Sequence, residues 1–336
     1  QAKRQQEEFS IITDNMEEGF LVIDSHTEVL SYNSSALRLL GAREQDARQS
    51  VLALNRSESF QRTVEKVLGG QHVISNQEFQ GITCQVAANP VFQEGKVTGA
   101  VILILDVTEK MKGEQMRREF TANVSHELKT PLTSISGFAE IINDGFVKPE
   151  DTKKFAGRIF KEAQRLITLV NDVIKISQLD EGKLPYEKEE VDLYEAVRET
   201  FLRIEDHAKA EGVHLYLYGP HIKSNTVKTI LDEIIYNLCD NGIKYNKKGG
   251  SLTVTISQEG EKPVVTVEDT GIGISEEDQK RIFERFYRVD KSHSKAIGGT
   301  GLGLSIVKHG TMFLGADMKV ESTLGEGSKF ILILPE

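Results

Sequence analysis

The chain has 336 residues, a size that suggests two or three domains rather than one. Its hydrophobic share of 39% beside 27% charged residues fits a soluble globular protein, and a net charge of -10 without a basic, aromatic-interleaved face speaks against direct nucleic-acid binding. Cys84 and Cys239 stand in unrelated patterns, so neither a disulfide framework nor a zinc site is expected. That fits a reducing cytoplasm, and no apolar run approaches the roughly 18 residues that would span a membrane.

In chain order, residues 1–9 read as the end of a polar helix. Short strands follow at Gly19–Asp24 and Val29–Asn33, around a turn at "SHTE". "SSALRLLG" reads as a short helix stopped by Gly41, and Ser59–Gly70 has helical apolar spacing closed by a glycine pair. Three strand-like runs come next, "HVISNQEFQ", "ITCQVAANPVFQ" and "KVTGAVILILDVT". Together these elements make a small α+β unit at residues 10–108.

Residues 109–184 change character. From Glu109 to Asp144 the apolar residues, among them Phe120, Val124, Leu128, Leu132, Ile135 and Phe138, recur at steps of three and four, one stripe on a helix. "NDGFVKPED" breaks the pattern. A second stripe runs from Phe155 through Ile159, Leu166, Leu169, Val173 and Ile174 to Leu179 and stops at "DEGKLP". A lone antiparallel hairpin cannot bury both stripes, whereas a dimeric four-helix bundle can. Residues 185–336 then alternate helices at Leu193–Glu211 and Val227–Tyr245 with strands in "VHLYLY", "SLTVTISQ", "PVVTVEDT", "DMKVEST" and "KFILILP". This pattern predicts an α/β sandwich.

Four clusters in the last domain carry chemistry. In "DEIIYNLCDNGIKYN", Asn237 and Asn241 lie four apart and share a helix face, with Lys244 and Tyr245 within a turn. Amide oxygens beside a lysine suit a magnesium–triphosphate, although a buried amide network is an equal reading of this cluster alone. In "VEDTGIGI" a strand delivers Asp269 to Gly271 and Gly273, where a buried carboxylate can accept from an exocyclic amine and glycine allows a flat ligand to approach. "IFERFYRVD" offers Arg288 to a terminal phosphate, or is simply a core helix with an exposed arginine. "GGTGLGLSIV" runs glycines straight into an apolar helix, whose first N–H groups bind phosphate, and the preceding Asp290–Gly298 reads as a lid. No Gly-Lys-Ser/Thr follows, so this is not a Walker loop.

Upstream, "SHELKTPL" places His126 beside Glu127, with Thr130 one turn on and Pro131 inside the helix. Together with the four clusters, this stretch closely resembles the sensor histidine kinases of two-component systems, phosphate-sensor or cell-wall-sensor kinases among them. Residues 10–108, closed by "ILDVTEK", resemble a PAS sensor domain more loosely. The resemblance implies a PAS sensor, a dimerisation and histidine-phosphotransfer hairpin, and a gyrase/chaperone/kinase-type ATP-binding domain. It implies His126 as phosphoacceptor, Glu127 as its acid/base and Thr130 as a contributor to phosphatase action on the receiver. Arg288 becomes the γ-phosphate contact and Asn241 the magnesium ligand, with Asn237 as its partner. Lys244 falls to the phosphates, Tyr245 to the adenine's surroundings, and Asp269 with Gly271 and Gly273 to the adenine amine. Gly299, Thr300, Gly301, Leu302 and Gly303 form the hinge and phosphate cradle. Gly242 stands where the family usually has alanine, which is expected to loosen that helix.

The implied cofactors are ATP and Mg2+. The implied partners are a second copy of the chain and a separate response-regulator receiver domain, with no nucleic acid. The chain begins "QAKRQQEEF" without methionine and is expected to be the cytoplasmic portion of a membrane-bound bacterial sensor, its anchor in a preceding segment. Neutral imidazole is a workable nucleophile near pH 7. An autophosphorylating kinase is therefore the favoured reading. A degenerate kinase acting as scaffold or phosphatase, and a gyrase-type ATPase, are the alternatives.

Overall fold

The structure, a computed structural model, describes residue 13 and residues 15–43, 50–181, 187–289 and 299–336. The polar helix end expected at residues 1–9 and the lid expected at Asp290–Gly298 lie outside the described residues. The chain divides into two compact units after Glu119.

In the first unit, strands β1 (Gly19–Asp24), β2 (Val29–Tyr32), β3 (Val73–Phe79), β4 (Ile82–Gln93) and β5 (Lys96–Asp106) form one antiparallel sheet in the order β2-β1-β5-β4-β3. Helices α1 (Ser34–Leu40), α2 (Val51–Leu54) and α3 (Glu58–Leu68) connect its two halves. Alternation along β1 and β5 sends Leu21, Ile23, Ile102 and Ile104 inward against Phe60, Val64 and Val67 of α3. Asn33 organises the join between β2 and α1. Its Oδ1 accepts from the backbone N–H of Phe20 and Ala36, and its Nδ2 donates to the carbonyls of Thr13 and Glu18. Every hydrogen-bonding site of a fully buried amide is thereby used.

Helix α4 (Thr108–Asn143) is continuous through Pro131, which is its one buried residue. The proline has no N–H to offer the Glu127 carbonyl, so the helix lacks one hydrogen bond there. The second unit begins within α4 at Phe120. Helix α5 (Thr152–Glu181) returns alongside, with Phe138 and Phe155 edge to face at 5.8 Å and the Arg158 guanidinium over both rings. Leu132 and Ile141 on α4, and Phe160, Ile167, Val170 and Ile174 on α5, stay exposed.

The rest of the second unit is a sheet with helices packed on it. Strands β7 (His214–Tyr218), β9 (Ser251–Glu259), β10 (Lys262–Asp269), β11 (Asp317–Thr323) and β12 (Gly327–Ile333) lie in the order β11-β12-β10-β9-β7, and only the β7–β9 pair is parallel. Helices α6 (Leu193–Glu211), α7 (Lys228–Lys244) and α9 (Gly303–Leu314) share its core through Ile204, Ile234, Leu238 and Leu314. The short α8 (Glu276–Gln279) precedes "IFERFYRVD", whose described part is turns rather than the core helix weighed from its apolar residues. Sequence reading also missed two strands, β6 (Glu189–Asp192) and β8 (Lys223–Thr226), which pair with each other. Both are polar, so no alternation marks them.

Replacing Asn33 with alanine removes a helix cap, the side-chain acceptor of the Phe20 N–H and a donor to the carbonyls of Thr13 and Glu18. Unfolding of the first unit is expected to be easier by about 3 kcal/mol, measured as a shift of its urea midpoint.

Candidate functional site

A cavity of about 860 Å³ opens between α7, the ends of β10 and β12, the Gly299–Gly303 turn and helix α5. Its walls include Asn237, Asn241, Lys244, Tyr245, Asp269, Gly273, Arg288, Gly299, Thr300, Gly301 and Gly303, so most residues singled out in the three last-domain motifs and at Arg288 converge on one space. Helical spacing explains the α7 set, since residues 237, 241 and 244 fall on one face.

Asp269 ends β10 at the floor. Its Oδ1 accepts from the Gly271 N–H at 2.8 Å, and burial pushes its carboxyl up to about 6 despite backbone donors from Gly271 and Ser328. An acceptor held in a dry floor without a cationic partner suits a neutral N–H donor on a ligand. Gly271 is not a wall of the cavity but a support for it. A methyl there would meet the Tyr245 carbonyl oxygen at 2.3 Å and Asp269 Oδ1 at 2.8 Å. Gly273 has φ +69, and a Cβ on it would lie 2.0 Å from the Thr323 carbonyl oxygen. Gly242 is likewise spatial: an added Cβ would lie 2.5 Å from Leu252 Cδ1. The site that was expected to loosen α7 is therefore tightly packed.

On the opposite side, Gly303 opens α9 so close to Asn237 that a Cβ would meet Asn237 Oδ1 at 2.9 Å. The helix start and the amide thus face one space, where N–H groups and an amide oxygen are available together. Leu302 does not line the cavity. It is fully buried, with Ile306, against Leu169 and Ile176 of α5. Lys244 is engaged with Asp240 at 2.5 Å, and Asp240 also faces His207 Nδ1 at 3.3 Å.

The acceptor segment reaches this space through Glu127. Its Oε2 lies 3.7 Å from Nη2 of Arg288 and 3.7 Å from Nη2 of Arg165, and Arg288 also donates to the Gly299 carbonyl. His126 itself is exposed and is not a wall of the cavity. The Thr130 hydroxyl donates to the His126 carbonyl at 3.2 Å, one turn back along α4.

Sequence reading missed the contribution of α5. Asn171, Asp172 and Lys175 line the cavity, Asp172 Oδ2 accepts from the Thr300 hydroxyl at 2.8 Å, and Lys175 pairs with Glu233 at 2.6 Å. The available signal was a carboxylate within the apolar stripe, at residue 172 between Leu169 and Ile176.

The family model "PAS fold" matches residues 13–112, "His Kinase A (phospho-acceptor) domain" matches 116–182, and "Histidine kinase-, DNA gyrase B-, and HSP90-like ATPase" matches 226–336. Over 97% of its length the chain is 31% identical to the sensor protein kinase WalK of Staphylococcus aureus, 80% of which it covers. The chain belongs to the sensor histidine kinase family. Another similar sensor kinase is WalK of Bacillus subtilis, 32% identical over 95% of this chain. The chain spans about half the length of that relative, 54%. The histidine kinase ThkA, solved in complex with the response regulator protein TrrA, has the same fold, with a TM-score of 0.53 over 97% of each chain at 23% identity. Among the described residues of this family member, no helix is long and apolar enough to cross a membrane.

Because Gly273 combines a left-handed backbone with a position where an added Cβ would lie 2.0 Å from the Thr323 carbonyl oxygen, Gly273→Ala should cost about 2 kcal/mol or more of stability. A lowered melting temperature of the second unit, together with weakened adenine-nucleotide binding, is the expected readout.

Proposed function

We propose that the chain binds ATP in the 860 Å³ cavity, transfers the γ-phosphoryl group to His126, and passes it on to an aspartate of a separate response-regulator receiver domain. The observation that carries this reading is the meeting of Glu127, the residue after His126, with the cavity-lining Arg288 at 3.7 Å. It joins the acceptor segment to the wall of the nucleotide space.

The residues fit the nucleotide. Asp269 and its glycine-supported turn suit the adenine amine, with Tyr245 beside the base. The start of α9 after Gly299, Thr300 and Gly301, with Gly303 against Asn237, suits phosphates. Asn241 would hold Mg2+ by its side-chain oxygen, with Asn237 beside it, and the ion would supply charge neutralisation on the phosphates. Lys244 is close enough along α7 to turn from Asp240 towards a phosphate.

In the transfer, a ring nitrogen of His126 attacks the γ-phosphorus. The N–P bond forms, the bond from phosphorus to the bridging oxygen breaks, and ADP leaves. The proton on the other ring nitrogen passes to Glu127. Arg288 stabilises charge on the transferring group. Thr130, on the same face one turn on, is the residue we assign to orienting water when the receiver is dephosphorylated.

The same reading divides the chain into a PAS-like sensor at 10–108, a linker and phosphotransfer hairpin at 109–184, and an ATP-binding domain at 185–336. It pairs two copies through the exposed apolar residues of α4 and α5, Leu132, Ile141, Phe160, Ile167 and Ile174 among them. The groove along α4 between Leu128, Leu132 and Ser136 belongs to that open face. It also sets the chain on the cytoplasmic side of a membrane-bound sensor. The sensor designation of its relatives, and the share of the Bacillus subtilis protein that this chain does not match, support that location.

His126→Gln should abolish phosphate incorporation from γ-labelled ATP while nucleotide binding persists; equal incorporation by the two proteins would sink the assignment. Asn241→Ala should weaken magnesium-dependent ATP binding at least tenfold, and unchanged affinity in calorimetry would count against the metal site. Asp269 binds the amine as a carboxylate, and its carboxyl sits at about 6 in the free protein. ATP affinity should therefore fall as the pH drops through about 6 and level off well above it, because binding to the protonated form must displace a proton. In Asp269→Asn that dependence should flatten.

A further inference from the structure

The hairpin meets the ATP-binding domain through an apolar seam. Leu169 and Ile176 of α5 are buried against Leu302 and Ile306 at the start of α9, with Phe286 and Leu128 packed on the edge. Residue 172 falls between Leu169 and Ile176 on the same face of α5, three and four residues from each, and there the chain carries a carboxylate. Asp172 is satisfied by one hydroxyl, Thr300 Oγ1, at 2.8 Å. Thr300 in turn accepts from the backbone N–H of Leu302 at 3.3 Å, the residue that caps α9. One residue further, the Gly301 carbonyl accepts from the Phe286 N–H at 2.9 Å. This holds Phe286 at φ 63, a left-handed backbone that only a fixed surrounding sustains in a phenylalanine.

A polar pair within an apolar seam adds little net stability, because desolvation offsets most of the attraction, but it excludes other registers. Sliding α5 by one turn against α9 would leave this half-buried carboxylate, which borders the cavity, without the Thr300 hydroxyl. Burial already pushes the Asp172 carboxyl upward, with Thr300 and Lys175 opposing. What the contact with Thr300 uses is the acceptor oxygen Oδ2.

We propose that Asp172 is a positioning residue for phosphoryl transfer: through Thr300 it sets the register of the hairpin on the ATP-binding domain, and that register brings Glu127 to Arg288. The inference rests on the reading of the cavity as the ATP site and of His126 as acceptor. It assigns Asp172 no contact with the nucleotide.

The test is a kinetic comparison in the full chain, with γ-labelled ATP for the rate of His126 phosphorylation and calorimetry with ATP and magnesium for affinity. Asp172→Leu should lower the rate at least tenfold while ATP affinity stays within about twofold, a binding result that also reports a folded ATP domain. Asp172→Asn, which keeps an acceptor oxygen, should restore the rate to within about threefold of the native chain. A native rate in Asp172→Leu would overturn the proposal. So would a loss of ATP affinity as large as the loss of rate, which would make Asp172 a nucleotide ligand. An Asn variant as slow as the Leu variant would overturn it too, by showing that charge is what matters. If the native chain binds no ATP or incorporates no phosphate at His126, the functional reading itself fails, and this inference with it. A native chain that does both, with Asp172 variants that do not differ from it, refutes the positioning role alone.

Discussion

The contact between Glu127 and Arg288 lies beside a hydrophobic seam on whose edge Leu128 and Phe286 pack. Leu302 and Ile306 are removed from water by Leu169 and Ile176, and each such side chain, when fully buried, stabilises by roughly 1.5–3 kcal/mol. That driving force has no direction and would accept several registers. The polar contacts around it supply the direction. Thr300 meets Asp172, Lys175 meets Glu233, and at the far end Asp180 meets both Arg285 at 2.6 Å and His309 at 2.9 Å. These carboxylates and cations fix where the hairpin sits on the domain that holds the cavity.

The cavity is built by backbone constraint as much as by side chains. Asp269 reaches the floor because β10 is flanked by β9 and β12 and ends where Gly271 and Gly273 let the chain turn under Tyr245 and Thr323. The carboxyl is held high by burial, a cost to stability that builds as the pH rises from 3.8 to about 6 and is constant above that. A strained or desolvated group kept at the bottom of a cavity is the pattern expected where a ligand supplies the missing partner. Arg288, Lys244 and Asn237 are all engaged with protein partners instead, so a nucleotide would exchange those contacts for its own.

Much of the fold was legible in the sequence. Strands β1, β4, β5, β9, β10 and β12 announce themselves as short apolar or β-branched runs bounded by turns, and α4 and α5 by long stripes at steps of three and four. The site was legible where local chemistry is unusual: amides four apart, glycines running into a helix, a histidine beside a glutamate. The paired strands β6 and β8 were not, because "EEVD" and "KSNT" carry no alternating pattern and are fixed by each other. Nor was the role of α5 in the cavity, since a carboxylate at residue 172 within an apolar stripe does not say which distant residue it meets.

By itself the sequence determined the elements, the apolar faces and the kinds of reactive group, because those follow from periodicity and residue chemistry within a few turns of chain. Tertiary structure alone decided which groups meet. Gly271 became a support rather than a wall, Leu302 a buried anchor, and Asp172 a partner of Thr300. Residues 172 and 300 are 128 positions apart, and no local rule links them. Their contact exists because the apolar seam holds α5 against the start of α9, a consequence of packing rather than of spacing.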